Sequence, residues 1–280
     1  MSQERIVADL VDICHRLSAR GFVTATDGNV SARLTNGNFL TTRTSVNKGM
    51  VTPEDIIEVD PEGKPVGATL RPSTELGMHL FIYRRRPDVR AVVHAHPTHA
   101  TGFAVARQPL TGCIFPEVIV GLGAVPLAEY ATPSTAEVAG SLEPYIMSAD
   151  AILLANHGVV AYGKDPYDAY FKMEKVEHAA HITFVARMLG GEKNLSAEDV
   201  EKLRSISQQS YGLNPVGKLS CEPAGDGIGR GTGDRAAGST GESTADHTGD
   251  SAAIPESDIR EVIREMINKK SGSPRSTGLK

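Results

Sequence analysis

RPSTELGMHLFIYRRRPDVRAVVHAHPTHATGFAVA, residues 71–106, is the stretch on which the fold turns. Val89 to Val93, Arg90 apart, is an apolar, Val-rich run of strand type that leads into His94-Ala95-His96. Residues i and i+2 of a strand point to one face, so both imidazoles project together from the strand's end. Neutral imidazoles converging there suit a borderline cation such as Zn²⁺, which needs a third protein ligand and one open position if it is to catalyse. The pair alone does not establish a metal, because no third ligand is local. Upstream, Pro72-Ser73-Thr74-Glu75 precedes a helical pattern with Leu76, Leu80 and Ile82-Tyr83 among its apolar positions, so Ser73 or Thr74 is expected as the N-cap. Free N–H groups and two hydroxyls at a helix start suit a phosphate; equally, Ser73 merely caps and Glu75 decorates the first turn.

Toward the N-terminus, Ile6, Leu10, Ile13-Cys14 and Leu17 recur at helical spacing, and Gly21 closes that helix. The small-residue turn from Thr24 runs into a strand ending at Arg33. Gly28 and Asn29 there tolerate positive φ, which fits an anion nest or a plain hairpin connection. Phe39 to Ser45 reads as a strand ending in hydroxyl residues, Thr52 to Asp55 as a capped turn and Ile56 to Asp60 as a short strand. These β elements lack βαβ alternation, which argues against a doubly wound sheet.

Toward the C-terminus, Ile114 to Val120 and Ala124 to Leu127 read as short strands, and Ser134 to Leu142 as a helix with Ser134 near its cap. Ala151 to Ala155 is a buried strand ending in Asn156-His157-Gly158. A His there suits the missing third ligand, although a hydrogen-bonded His in a strand-loop turn is the ordinary alternative. Asp165 and Pro166 start a long helix to Leu189 whose Glu174, His178 and His181 read as a charged face. Another helix spans Ser196 to Tyr211.

The 280 residues are 40% hydrophobic with no Trp, enough for one sizeable core. A formal net charge of −5 gives no case for nucleic acid or an anionic membrane. Three widely spaced cysteines, Cys14, Cys113 and Cys221, predict free thiols in a reducing, cytoplasmic setting. No apolar run approaches the roughly 20 residues of a membrane span. The chain divides into a body, 1–215; a Gly/Ser-rich linker, 216–253; and a tail, 254–280. In the tail Ile259, Val262, Ile263, Met266 and Ile267 form an apolar helical stripe that needs a partner, foreign or its own oligomer.

Residues 1 to about 215 resemble the class II aldolase/adducin family, most of all its L-fuculose-phosphate aldolase branch. The resemblance rests on Gly28-Asn29-Val30-Ser31, Pro72-Ser73-Thr74-Glu75, His94-Ala95-His96 and Ala155-Asn156-His157-Gly158 in order and spacing. It implies an α/β fold, a single α/β/α layered domain with a mostly antiparallel central sheet, assembled as a homotetramer. It places Zn²⁺ on His94, His96 and His157 and makes Glu75 the acid/base. The phosphate pocket falls on Gly28, Asn29, Thr44, Ser45, Ser73 and Thr74, with Ser45 where Gly is common and Thr74 where Ser is common. Tyr130, reaching a neighbouring subunit's site, and Tyr211 are the implied catalytic tyrosines. The implied reaction cleaves a ketose 1-phosphate, L-fuculose or L-rhamnulose 1-phosphate, to dihydroxyacetone phosphate and lactaldehyde. An L-ribulose-5-phosphate 4-epimerase, a sugar-phosphate dehydratase and an adducin-like scaffold are the alternatives; the interval from His96 to His157 fits the aldolase branch better than the longer insertion of the epimerases. The linker and tail resemble peptides that carry enzymes into bacterial microcompartments, which implies a shell-protein partner for residues 254–270.

Overall fold

The computed structural model describes residues 2–67 and 69–211. Its strands are β1 (Asn29–Arg33), β2 (Phe39–Thr42), β3 (Ile56–Val59), β4 (Ala91–Ala95), β5 (Leu127–Ala128), β6 (Ala151–Leu154) and β7 (Gly158–Gly163). They form one sheet in the order β3-β2-β1-β4-β7-β6-β5, and every pairing is antiparallel except β5 with β6. The helices are α1 (Gln3–Ala19), α2 (Leu76–Arg85), α3 (Thr98–Val105), α4 (Pro116–Gly121), α5 (Glu137–Leu142), α6 (Pro166–Met188) and α7 (Ala197–Tyr211).

Strand β4 sits at the centre, paired with β1 on one side and β7 on the other. Its alternate residues enter different cores: Val93 and Ala95 pack with α1, α3 and α6, while Val92 packs with α2 and α5. A strand covered on both faces reads as a continuous apolar run, which is why Ala91 to Val93, past the exposed Arg90, carries no polar alternation. The result is the α/β/α layering the sequence predicts. Helix α6 starts as expected, with the Asp165 side chain accepting from Asp168 N and Pro166 in the first turn. Its Glu174 is bound to Arg20 and to the Tyr170 hydroxyl.

Three local expectations are corrected. Ile114 to Val120 is not a strand: Pro116 opens the short helix α4, and Ile119 buries against Val200 of α7. Tertiary packing and Pro at the helix start override the β-branched propensity there. Ser134 does not cap α5, which begins at Glu137; Ser134 holds φ of 65° and donates to the Thr74 hydroxyl at 2.9 Å. Cys14 is a free thiol whose burial pushes its pKa up to about 12, but Cys113 is disulfide-bonded rather than free. The linker and tail readings, 216–280, lie outside the described residues. No described helix is long and apolar enough to cross a membrane.

Candidate active site

Strand β4 ends in the two histidines. His94 is fully buried, and its Nδ1–H donates to Val159 O of β7 at 2.9 Å. That bond fixes the tautomer and leaves Nε2 with a bare lone pair, the usual device for orienting a metal-binding imidazole. Two positions on, His96 Nε2 lies 3.1 Å from His94 Nε2. The third ring arrives from β6: Asn156 turns the chain at φ of 54°, and His157 follows. The turn must be tight here, because a Cβ on Gly158 would come within 2.5 Å of the His96 ring and 2.6 Å of Ala95 O. The three ligand nitrogens lie within 4.8 Å of one another, the one such cluster among the described residues.

Glu75 completes the group. Helix α2 lies on the Val92 face of the sheet, so the residue before its first turn meets His94 and His157. Glu75 Oε1 is 3.2 Å from His157 Nε2, Oε2 is 3.4 Å from His94 Nε2, and Asn29 Nδ2 donates to Oε2 at 2.8 Å. This corrects the expected cap. Glu75, not Ser73 or Thr74, holds the N-cap position, without a side-chain cap bond, because its carboxylate is turned to the histidines; Ser73 Oγ accepts from Glu75 N instead. Burial pushes the Glu75 carboxyl up, but the adjacent His94 and His157 imidazoles overcome it and hold the group well below the carboxylate range. Burial, helped by the neighbouring His94 and His157, takes His96 down to about 3, so its ring is neutral. Three converging imidazoles beside a carboxylate fit a divalent borderline cation.

Beside this cluster lies a cavity of about 320 Å³. Gly28, Asn29, Thr44, Ser45, Ser73 and Thr74 all line it, together with Glu75, His96 and His157, so the structure brings both halves of the expected site together. Gly28 is pinned by its surroundings: φ is 72°, and a Cβ would fall 2.8 Å from His94 O. Ser45 adopts φ of 56° without the freedom of glycine. Tyr130 is 55% exposed and does not line this cavity. Tyr211 closes α7, and its side chain lies outside the described residues. The sequence reading missed Asp27, Arg43, Lys48 and Pro133, which also line the cavity. Of these, only Arg43, next to Thr44-Ser45, carried a local signal.

The sequence profile of the Class II Aldolase and Adducin N-terminal domain matches residues 8–184, well over half of the chain. The chain belongs to that family. The L-fuculose phosphate aldolase of Methanococcus maripaludis (strain C5) is 32% identical over 184 residues, covering 66% of this chain and 98% of the relative. The 3-oxo-tetronate 4-phosphate decarboxylase of Escherichia coli K12 is 31% identical, covering 72% and 97%. Among solved structures, an L-fuculose 1-phosphate aldolase superposes with a TM-score of 0.69 at 29% identity over 76% of this chain and 99% of its own. The L-fuculose-1-phosphate aldolase of Thermus thermophilus does so with a TM-score of 0.60 at 32% identity, over 67% and 96%. This class II aldolase family member therefore has the fold of the fuculose aldolases and is an enzyme of a family whose relatives here are lyases.

Proposed function

We propose that this enzyme cleaves a ketose 1-phosphate, L-fuculose 1-phosphate before L-rhamnulose 1-phosphate, into dihydroxyacetone phosphate and lactaldehyde. The observation that carries the reading is the Glu75 carboxylate, set between His94 and His157 and opening into the cavity lined by the phosphate-type donors. Held by His94, His96 and His157, a divalent cation, Zn²⁺ first, supplies Lewis-acid stabilisation of the charge that develops at the substrate carbonyl. The backbone at Gly28 and Asn29 and the hydroxyls of Thr44, Ser45, Ser73 and Thr74 hold the phosphate and so fix which carbon faces Glu75.

Cleavage breaks C3–C4 and leaves the bonding pair on C3. In condensation the ionised Glu75 removes a proton from that carbon; in cleavage Glu75 first takes up a proton from solvent, matching the C4 hydroxyl proton that is released, and delivers it to C3. The proton of the C4 hydroxyl leaves on the aldehyde side, the role we give to Tyr130 from a neighbouring copy in a homotetramer. Tyr130's exposure and its absence from the lining of its own cavity support that assignment. A second reading, decarboxylation of a phosphorylated 3-oxo acid, is favoured by the E. coli relative of that activity. It too leaves an electron pair beside a carbonyl, and it would use the same Glu75 and cation.

A coupled assay for dihydroxyacetone phosphate release from L-fuculose 1-phosphate tests the proposal, run with chelator, with zinc added back, and with Glu75→Gln. Release that stops with chelator, returns with zinc and falls about 10²–10⁴-fold in the variant is the expected result. No release from zinc-loaded enzyme would reject the aldolase reading and send the 3-oxo acid and L-ribulose 5-phosphate to the front.

A further inference from the structure

We propose that Lys48 supplies the counter-charge for the substrate's phosphate, a binding residue beyond the hydroxyl and backbone donors of the pocket. The proposal rests on the phosphosugar reading above. Lys48 opens a short turn, Lys48–Met50, and is only 1% exposed, yet it lines the cavity. Its Nζ donates to Thr26 O at 3.0 Å and to Val46 O at 2.8 Å. An ammonium has three N–H groups, so two neutral carbonyls leave one over.

None of the neighbouring charges forms an ion pair with Lys48. Arg43 donates from Nε to Asp55 at 2.5 Å, which neutralises it. Asp27 lies toward His96, at 3.7 Å, and Glu75 toward His94 and His157. Among the described residues no carboxylate pairs with Lys48 within 4.0 Å. Burial accordingly pushes its pKa down, opposed by the more distant Cys14, Asp27 and Glu75. A buried cation without a counter-ion is costly, and a fold that keeps one at the wall of a cavity lined by hydrogen-bond donors is complete only when an anion arrives.

The surrounding backbone points the same way. Lys48 reaches across from the turn after Ser45 to Thr26, and Asn47 Nδ2 donates to Ala25 O at 2.8 Å. Together they fasten two loops that hold positive φ at Ala25, Gly28 and Ser45. These loops carry Gly28, Thr44 and Ser45 of the cavity lining, and Lys48 bridges them.

The test is calorimetric binding of dihydroxyacetone phosphate, inorganic phosphate and unphosphorylated dihydroxyacetone to the zinc-loaded full chain, alongside steady-state kinetics. Lys48→Met should weaken both phosphate ligands about tenfold or more and raise KM in step, with dihydroxyacetone unchanged. Its kcat should change less than about threefold, because the contact serves ground and transition states alike. Asn47→Ala loosens the same loops but keeps the charge, so it should preserve the preference for phosphorylated ligand. If the two variants lose that preference equally, Lys48 is only a clamp and the proposal falls. If Lys48→Met does not fold, the wild type carries the test: phosphate affinity must decline with pH before the roughly 10.4 of a free lysine, and affinity flat to that point overturns the assignment. Wild type that binds neither phosphate ligand defeats the phosphosugar reading itself, whereas normal binding by Lys48→Met defeats only Lys48.

Discussion

At the histidine end of the cavity His94 is carried by a strand and His96 and His157 follow one, whereas the end proposed to hold phosphate hangs largely on loops. His94 is locked by β7 through Val159 O, and His157 is set by the turn between β6 and β7. The other end uses residues 24–28 and 43–48, where Ala25, Gly28 and Ser45 hold left-handed backbone. The difference follows from the work each end does. Metal ligands must converge to within tenths of an ångström, and packed strands supply that rigidity. An anion is met by several backbone and hydroxyl donors at once, and aiming them inward takes conformations that regular strands do not offer.

If the contrast is right, the histidine end should be the less forgiving. Gly158→Ala, which drives a Cβ toward the His96 ring and Ala95 O, should weaken metal binding by about 10- to 100-fold, as losses of ligand orientation do. Competition with a fluorescent chelator measures this, and unchanged affinity would show the ligand end to be as compliant as the loops. A change at the loop end should be far milder. Ser45→Gly relieves a left-handed non-glycine residue and should stabilise the enzyme by up to about 1 kcal/mol in urea unfolding, with metal affinity untouched. A loss of stability there would mean the loop is held by the Ser45 side chain rather than merely tolerating it.

The same contrast governs what could be read in the sequence. His94 and His96 were legible because a strand has period two, and His157 because an apolar strand runs straight into Asn-His-Gly. The layered fold was legible through the family resemblance, while strand runs without βαβ alternation argued only against a doubly wound sheet. Lys48 was not legible: its role depends on reaching a carbonyl 22 residues away, across two loops whose crossing no local pattern encodes. Ser134 was misread for a similar reason. A serine before a helical pattern is a good cap, but its hydroxyl is taken by Thr74, 60 positions earlier. The role proposed for Tyr130 comes from the family resemblance alone, since within one chain the residue is exposed and lies off the cavity.

The proposed chemistry stands or falls with His94, His96 and His157 forming one metal site. Equilibrium dialysis of zinc into chelator-stripped wild type and His157→Ala, with bound metal counted by mass spectrometry, decides whether they do. About one tightly held ion per wild-type chain and almost none in the variant is the expected outcome, with both proteins folded by circular dichroism. A His157→Ala protein that retains a full equivalent of zinc would contradict it.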